Sequence, residues 1–573
     1  MNTKKSLIAA LVIFLGLGMS SFKGDDRNFQ IAKNLDLFNA IFKELDMFYV
    51  DTVDVEKMIQ EGVQGMLSLT DPYTEYYPEE EVSSLKEMIT GKYGGIGAAI
   101  RYYEAKDRIA VVEPTEGMPA AEAGVKAGDI ILSVGGKEMV RGDMKPQEFS
   151  GKVSEALRGE PGTSFVLRVL RPLKNDSTVL EFKLTRKNIR TNPVPYYGLV
   201  RDSVGYIALT GFTDNCSKDF KKAFIELKQQ GARSLIIDLR DNGGGSVGEA
   251  VDIINYFVPK GQEIVSMKGK LKQAQGSYKT QNEPIDTQIP MAVLVNGASA
   301  SASEIVSGSL QDLDRAVIIG SRTYGKGLVQ TTRNLPYNGT LKVTTSKYYI
   351  PSGRCIQAID YAKKNADGSV ARTPDSLTNV FHTVAGREVR DGGGIRPDIE
   401  IKEDKFPNII FYLMNEDIIF DYATQYCWDH PTLASVDAFQ LTDADYEDFK
   451  KLVKSRNFKY DRQSEKLLKT LKEMAEFEGY MEGASEEFKA LEKKLNHNLD
   501  RDLDHFAKPI KEYISQEIIT RYFYQRGAVM ERLKDDKDLE KAVEVLGNSA
   551  EYTRILSVPV AASVLIQNYF TPF

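Results

Sequence analysis

The stretch from residue 291 to residue 330 constrains this chain more than any other. It opens with the apolar run Met291-Ala-Val-Leu-Val295, passes through small residues, and enters a segment whose apolar residues recur at three- and four-residue spacings. This order predicts a buried strand, a tight turn and a helix. A serine hydroxyl at the start of that helix could attack a carbonyl, because unpaired N–H groups and the positive end of the helix dipole gather there. Three serines fall in this position: Ser299, Ser301 and Ser303.

A lysine between two glycines follows the next predicted strand. The apolar run Ala316-Val-Ile-Ile319 predicts that strand, and Gly325-Lys326-Gly327 comes after it. The glycines allow the backbone around Lys326 to approach another backbone closely. To act as a general base, the amine must be neutral near pH 7, so its pKa must lie far below the usual value of about 10.4, as burial could bring about. Gln330 offers an amide that could orient the amine.

The histidines favour lysine as the base. The four histidines are His382, His430, His497 and His505. A serine–histidine pair would need His382 to return to Ser301 without any local motif that indicates it. A serine–lysine pair is a recognised alternative to the serine–histidine–aspartate arrangement, and it is the simpler interpretation here.

These residues resemble a known family. Ser-Ala-Ser-Ala-Ser-Glu-Ile at 299–305, followed by Tyr-Gly-Lys-Gly-Leu-Val-Gln at 324–330, resembles the active-site pair of the C-terminal processing, or tail-specific, serine proteases of peptidase family S41. The resemblance implies that Ser301 is the nucleophile, Lys326 the base and Gln330 the residue that assists the lysine. The spacing between Ser301 and Lys326 fits the family pattern.

A second stretch resembles the oxyanion-hole turn of the same family. It reads Asp-Leu-Arg-Asp-Asn-Gly-Gly at 238–244. The resemblance implies that the N–H of Gly243 or of Gly244 binds the oxyanion together with the N–H of Ala302, the residue after the proposed nucleophile.

Other patterns compete for the same residues. Ser301 and Glu304 also satisfy a helix capping box, which alone would need no chemistry. Residues 320–327 nearly spell a phosphate-binding loop, but Gly327 stands where a hydroxyl should hold Mg²⁺, and a strand follows instead of a helix. Residues 243–248 match a dinucleotide fingerprint, which by itself is weak evidence for a nucleotide-dependent enzyme.

The beginning of the chain predicts export. Residues 1–21 combine a basic start, the apolar run Leu7–Met19 and two small residues, which is typical of a secretory signal peptide. The run is short for a membrane span of about 20 residues. We expect the periplasm or cell envelope, with retention by an uncleaved N-terminal segment as the alternative. The three cysteines provide no disulfide framework: Cys216, Cys355 and Cys427.

Residues 91–187 resemble a PDZ domain. In such a domain a glycine-rich loop offers N–H groups to a peptide's C-terminal carboxylate, and the peptide adds to the sheet as a strand. The loop would consist of Tyr93, Gly94, Gly95, Ile96 and Gly97. The helix predicted at 146–157 would form the other wall of the groove. The alternative is a glycine-rich turn in an ordinary small β domain.

The rest of the chain falls into three parts. Residues 28–90 predict a helical segment, 188–404 alternate strand and helix as in an α/β fold, and 405–573 predict a helical extension. The resemblance names the α/β part a ClpP/crotonase-like protease core, into which the PDZ domain is inserted. The extension is open to interpretation as a lid, an oligomerisation surface or an arm that binds a partner.

Together these features predict a secreted or periplasmic serine endopeptidase. It would recognise protein C-termini, apolar ones in particular, and cleave them with a serine–lysine dyad. A catalytically idle peptide-binding scaffold with the same PDZ domain is the alternative. We expect no metal or cofactor, and the C-terminal helices could form a homo-oligomer. A net charge of −7 gives no general attraction to nucleic acid.

Overall fold

The computed structural model of the protein describes residues 22–174, 176–201, 203–365, 369–402, 406–495 and 498–557. The predicted signal peptide at 1–21 and the chain after residue 557 lie outside the described residues. The chain divides into two compact units. Of the described residues, the smaller unit contains those up to Glu79 together with Gln330–Thr344, and the larger unit contains Glu80–Val329 and those from Thr345 onward.

The smaller unit begins with two helices and a short strand. The elements are α1 (Phe22–Phe48), α2 (Val55–Leu67) and β1 (Glu75–Tyr77). The side chain of Asp54 caps α2 by accepting the N–H of Lys57. Strand β1 pairs antiparallel with residues 340–342, which belong to the same unit. In the described residues α1 leaves several large apolar side chains more than half exposed, among them Phe29 and Leu35.

The larger unit begins with helix α3 (Val82–Thr90) and a β-rich domain. Its elements are β2 (Lys92–Gly95), β3 (Ala98–Tyr103), β4 (Arg108–Pro114), α4 (Pro119–Glu122), β5 (Ile130–Val134), β6 (Lys137–Glu138), α5 (Pro146–Leu157), β7 (Ser164–Pro172), β8 (Ser177–Thr185) and β9 (Lys187–Arg190). The main sheet has the order β3-β4-β5-β7-β8, so β3 forms an edge. Strand β2 pairs separately with β9.

Helix α5 lies against this sheet because its sequence places apolar residues four apart. Phe149, Val153 and Leu157 are buried in the core of the domain, and Pro146 occupies the first turn, where a missing N–H is no loss. The helix contacts β3 and β5. Helix α5 therefore lies beside β3, the edge strand of this sheet.

A mostly parallel six-stranded sheet forms the centre of the larger unit. Its strands are β10 (Tyr197–Val200), β11 (Val204–Ala208), β12 (Ser234–Asp238), β15 (Met291–Val295), β16 (Val317–Gly320) and β23 (Ile399–Glu400), in that spatial order; β10 pairs antiparallel and the others parallel. All residues of β11, β12, β15 and β16 are buried. Continuous apolar runs suit strands that are covered on both faces.

The intervening elements complete this α/β part. They are α6 (Cys216–Gln229), α7 (Val247–Asn255), β13 (Glu263–Gly269), β14 (Gly276–Lys279), α8 (Ala302–Asp312), β17 (Leu328–Asn334), β18 (Thr340–Tyr349), β19 (Ile359–Lys364), β20 (Val370–Arg372), β21 (Val380–His382) and β22 (Glu388–Arg390). Helices α6, α7 and α8 pack on one face of the central sheet, with Phe224, Ile254 and Ile305 in one apolar core.

The remainder of the described chain is helical. The helices are α9 (Asn408–Asn415), α10 (Ile418–Asp429), α11 (Asp443–Ser455), α12 (Gln463–Phe477), α13 (Met481–Leu495), α14 (Leu499–His505), α15 (Ala507–Arg532), α16 (Lys537–Gly547) and α17 (Ser549–Ile555). Helices α9 to α11, α14 and α15 share an apolar core of their own. Among the residues described, no helix is both long enough and apolar enough to cross a bilayer.

The last helices cover the second face of the central sheet. Leu539, Ala542 and Val545 of α16 are fully buried against side chains of β11, β12, β15 and β16. The hydroxyl of Tyr552 in α17 accepts the N–H of Met291 at 3.0 Å, at the first residue of β15. The C-terminal helices are therefore part of the core and not an appendage to it.

Candidate active site

Ser301 stands at the junction of a strand, a turn and a helix, as the sequence predicts. It follows β15 and precedes α8, with φ 56° and ψ −112°. This region is disfavoured for a residue with a side chain and costs on the order of 1–3 kcal/mol. Strained turns of this kind present nucleophilic serines in other hydrolases.

The two neighbouring serines have structural partners. The Ser299 hydroxyl donates to the carbonyl of Leu239 at 2.7 Å, and the Ser303 hydroxyl donates to the carbonyl of Asn242 at 2.7 Å. Both side chains are buried, whereas Ser301 is only half-buried. Of the three serines, Ser301 is the one whose position suits a nucleophile.

A buried carboxylate joins Ser301 to Lys326. Oε2 of Glu304 accepts the backbone N–H of Ser301 at 2.9 Å and that of Lys326 at 2.8 Å. Its other oxygen accepts the N–H of Gly325 at 2.8 Å and the hydroxyl of Thr323 at 2.5 Å. Burial raises the pKa of the Glu304 carboxyl, and these four donors oppose that rise. Ser301 and Lys326 are thus held by one side chain.

The glycines on either side of Lys326 are required by close packing. A Cβ on Gly325, whose φ is +89°, would lie 2.3 Å from the Cβ of Ala358. A Cβ on Gly327 would lie 2.8 Å from the backbone nitrogen of Gln357. The turn is bound to the same neighbours, since Ala358 N–H donates to the Gly325 carbonyl at 2.9 Å and Gly327 N–H to the Gln357 side chain at 2.7 Å. The backbone at Lys326 is therefore rigidly placed.

The two glycines considered for the oxyanion hole differ in one hydrogen bond. The N–H of Gly244 donates to the side-chain oxygen of Asn242 at 2.9 Å. Within the described parts of the chain, neither the N–H of Gly243 nor that of Ala302 donates a hydrogen bond. Gly244 lies directly beside the serine turn, because a Cβ on it would fall 2.8 Å from the Cβ of Ser301. The free donors are therefore those of Gly243 and Ala302.

An ionic network stabilises the strand end from which the glycine turn at 243–244 begins. The Arg240 guanidinium lies 2.6 Å from Asp238 and 2.6 Å from Asp536, the N-cap of α16. The Tyr206 hydroxyl also donates to Asp238, at 2.6 Å. Burial alone would raise the pKa of Asp238, but the adjacent Arg240 holds it below its usual value. The C-terminal helices thus brace the end of β12, from which the turn begins.

Gln330 belongs to the smaller unit. It lies on β17, and its amide nitrogen donates to the Thr344 hydroxyl at 3.0 Å. Its role as the residue that assists Lys326 stays a prediction.

The predicted peptide-binding loop is partly strand. Tyr93, Gly94 and Gly95 belong to β2 and pair with β9. Ile96 is buried, and Gly97 follows with φ +67°. In the part of the chain that the structure describes, the N–H groups of Ile96 and Gly97 donate no hydrogen bond. Two free donors therefore lie just before the edge strand β3.

Sequence reasoning missed the structural role of Glu304 and of Asn242. Glu304 carried a signal, because Ser-x-x-Glu indicates a contact between the carboxylate and the Ser301 N–H. That pattern could not reveal the second contact, to Lys326, which depends on tertiary structure. Asn242 lies within the pattern at 238–244, but that pattern did not indicate which N–H its side chain accepts.

Comparison with known protein families agrees with this arrangement. A family model described as "Peptidase family S41" matches residues 203–363, and one described as "PDZ domain" matches residues 111–171. A third, "Probable PDZ-protease, C-terminal helical domain", matches residues 409–546. The last match covers most of the helical segment predicted at 405–573.

Known proteins are similar over much of the chain. A "Carboxy-terminal-processing protease" of Bartonella bacilliformis is 35% identical over 57% of this chain and 73% of its own. A "Probable CtpA-like serine protease" of Staphylococcus epidermidis is 30% identical over 70% and 72%, respectively. Among solved structures, the photosystem II D1 C-terminal processing protease aligns with 65% of this chain and 94% of its own, at 26% identity and a TM-score of 0.35. The chain therefore belongs to peptidase family S41, as a C-terminal-processing serine protease that carries a PDZ domain.

Proposed function

We propose that this protease cleaves peptide bonds with Ser301 as the nucleophile and Lys326 as the general base. One observation carries the proposal: a single oxygen of the buried Glu304 carboxylate accepts the backbone N–H of both residues. The backbone nitrogens of Ser301 and Lys326 are therefore separated by no more than the sum of these two hydrogen-bond distances. A helix cap alone would not require the second bond, to a residue beyond the next strand.

The proposed reaction passes through an acyl-enzyme. Lys326 takes the hydroxyl proton of Ser301 while the serine oxygen attacks the scissile carbonyl carbon. The C–N bond of the tetrahedral intermediate then breaks, and the lysine ammonium returns the proton to the departing amine. Lys326 next takes a proton from water, whose oxygen attacks the ester, and gives it back to the serine oxygen. Each proton that Lys326 takes is returned, so the cycle closes without an external proton donor.

We assign the oxyanion hole to the N–H groups of Ala302 and Gly243. Both are free of other partners in the described residues, whereas the N–H of Gly244 is bound to Asn242. Two donors aimed at the developing negative charge are the usual arrangement for acyl transfer. Gly244 contributes by its size, because a side chain there would overlap the serine turn. Gln330 keeps the supporting role that the family pattern implies.

We further propose that the PDZ domain selects apolar protein C-termini. The free N–H groups of Ile96 and Gly97 suit a terminal carboxylate, and the open edge of β3 suits a peptide that adds as a strand. Ala98 and Ile100 of this strand are apolar, and they pack against the cluster that contains Phe149 and Val153. A charged terminal side chain would find no partner among these four residues.

The first experiment compares cleavage of an unfolded protein with an apolar C-terminus. The wild type, Ser301→Ala and Lys326→Ala are assayed, with Lys347→Ala as the control because Lys347 is an exposed lysine on β18. Fragments are identified by mass spectrometry. We expect the wild type and Lys347→Ala to cut alike, and the two dyad variants to fall by about 1000-fold or more while folded.

If the wild type and both dyad variants behave alike, the catalytic assignment is wrong. Peptide binding without cleavage by any variant would then support the alternative, a PDZ-containing scaffold with an idle core. Saturable binding of NAD or ATP would support a nucleotide-dependent enzyme instead.

The proposed location and assembly follow from the sequence. We propose export to the periplasm or cell envelope, directed by residues 1–21, and a homo-oligomer formed through the C-terminal helices. Intact-mass analysis of the protein from fractionated cells tests the first, because removal or retention of the leader changes the mass. Light scattering of the purified protein tests the second, and a monomeric mass would contradict it.

A further inference from the structure

Tyr348 on β18 contacts the backbone of both proposed catalytic residues. Its hydroxyl lies 3.1 Å from the carbonyl oxygen of Ser301 and 2.7 Å from that of Lys326. We propose that Tyr348 is a positioning residue, which holds the nucleophile and the base in register by donating to their carbonyl groups. This inference rests on the proposed roles of Ser301 and Lys326.

The hydroxyl is well suited to act as a donor at this place. The Tyr348 side chain is only 1% exposed, so water does not compete for its hydrogen bonds. Burial raises the pKa of the phenol well above its usual value, and the nearby Glu304 carboxylate raises it further. The group therefore keeps its proton over the working pH range and shares it between two carbonyl oxygens.

Tyr348 and Glu304 together hold the backbone of Ser301 and Lys326, and we call this pair of residues the clamp. Glu304 accepts the N–H groups of Ser301 and Lys326, and Tyr348 donates to the carbonyl groups of the same two residues. Both residues are thereby held at each end of their backbone. Rotation of the peptide planes would displace the two side chains, and the clamp opposes that rotation.

The position of Tyr348 is also fixed by a contact with the turn that contains Lys326. The backbone N–H of Tyr348 donates to the carbonyl of Gly327 at 3.0 Å, next to Lys326. The aromatic side chain belongs to the large apolar core that also contains Ile305 of α8. A phenylalanine at this position keeps the ring and the backbone bond and removes only the hydroxyl. The substitution is therefore a clean probe of the clamp.

Loss of the hydroxyl should affect turnover and leave substrate capture intact. Displacement of catalytic groups by about 1 Å can cost on the order of 100-fold in rate. For Tyr348→Phe we expect kcat to fall by about 10- to 100-fold, because the buried carbonyl oxygens lose a donor. KM should change by less than about threefold, since Tyr348 does not lie among the residues proposed to bind the substrate's C-terminus.

Tyr349→Phe is the matched control. It removes the same hydroxyl from the next residue of β18, where the side chain is half-buried and its ring lies 4.2 Å from the Lys268 amine. The control should keep kcat and KM of the wild type. Both variants are assayed with a fluorogenic peptide that spans a mapped cleavage site, and circular dichroism and thermal unfolding report the folded fraction.

The outcomes separate this inference from the proposed function. A selective fall in kcat for folded Tyr348→Phe, absent from Tyr349→Phe, supports the positioning role. If Tyr348→Phe turns over like the wild type while Ser301→Ala and Lys326→Ala are inactive, the inference fails and the dyad stands. If the two dyad variants remain active, the proposed function itself fails. If Tyr348→Phe does not fold, the hydroxyl serves the whole fold, and a role specific to the dyad is overturned.

Discussion

Two glycine-rich turns of this protease are built in opposite ways. In the turn at Gly325-Lys326-Gly327, the glycines pack closely against Ala358 and Gln357, and protein groups accept the N–H groups of all three residues. In the loop at Ile96-Gly97 of the PDZ domain, the N–H groups have no partner among the described residues. Glycine thus occurs in a rigid turn in one place and beside free donors in the other. A turn that holds a side chain still satisfies its own donors, and we propose that the loop with free donors receives a peptide carboxylate.

The largest effect should come from filling the space at the rigid turn. Gly325→Ala forces a side chain onto φ +89° and within 2.3 Å of the Ala358 Cβ. Strain and overpacking together should cost about 4 kcal/mol, seen as lower stability and a loss of kcat of about 1000-fold. Gly117→Ala is a control, because its φ of +71° carries the strain alone without any close neighbour. Equal effects in both variants would show that packing at the turn is irrelevant.

Glu304→Gln tests whether the donors at the rigid turn need a charge. The carboxylate accepts from four donors, and an amide offers two donors of its own where only acceptors fit. We expect kcat to fall by several hundredfold, equivalent to about 3–4 kcal/mol, in line with the breaking of other buried charged contacts. Kinetics on a short peptide measure this effect. Activity within threefold of the wild type would mean that the carboxylate acts only as a helix cap.

The stability of the protein should depend on pH through Asp417. Asp417 of the C-terminal helices pairs with Arg101 of β3 at 2.5 Å, with Glu104 and Asp421 also facing it. Burial raises the pKa of Asp417 to about 6, above its value in an unfolded chain. The folded protein therefore binds the extra proton between about pH 4 and pH 6, and stability from this group is lost as pH rises through that range.

Asp417→Asn measures this loss directly. Residue 417 cannot ionise in the variant. Between pH 4 and pH 7 the difference in the free energy of unfolding between the two proteins should therefore shift in favour of the variant, by about 3 kcal/mol at most. Denaturant unfolding at both pH values gives the comparison. A difference between variant and wild type that does not change with pH would rule out Asp417 as the titrating group. Tyr102→Phe, at an exposed hydroxyl of the same strand β3, serves as the control.

The smallest effect should appear at the loop that contains Ile96 and Gly97. A peptide with a free, apolar C-terminus should bind about tenfold more tightly than the same peptide with an amidated C-terminus, because the N–H groups of Ile96 and Gly97 favour a carboxylate. Calorimetry with Ser301→Ala avoids cleavage during the measurement. Equal affinities would mean that the free N–H groups of Ile96 and Gly97 do not bind the carboxylate. The two turns would then differ in packing but not in function.

Much of the fold could be predicted because the pattern of apolar residues is local. The strand at Met291–Val295 and the helix at Pro146–Leu157 have the predicted bounds. The helix that begins after Ser301 is also where the sequence indicates it. These elements carry their signals in consecutive residues, so neighbouring side chains alone identify them.

Features that depend on contacts between residues far apart in the chain could not be predicted from the sequence. The choice between Gly243 and Gly244 as a free donor rests on the side chain of Asn242, whose oxygen takes up the N–H of Gly244. The distant carbonyl of Leu209 fixes that side chain by accepting from its amide nitrogen at 2.7 Å. Tyr348 looks like any inward-facing residue of a strand, and only the folded chain brings its hydroxyl to Ser301 and Lys326.

The sequence by itself determined which residues could do chemistry. It identified a serine at a strand-to-helix turn, a lysine between glycines and a PDZ-like loop, because backbone conformation and helix ends follow from short stretches of chain. Only the tertiary structure decided what holds these groups. It assigned the second face of the central sheet to α16 and α17, and the link between Ser301 and Lys326 to Glu304 and Tyr348. Apart from the contact between Glu304 and Ser301, those contacts join residues far apart in the chain, and no local pattern records which distant surface a buried side chain will meet.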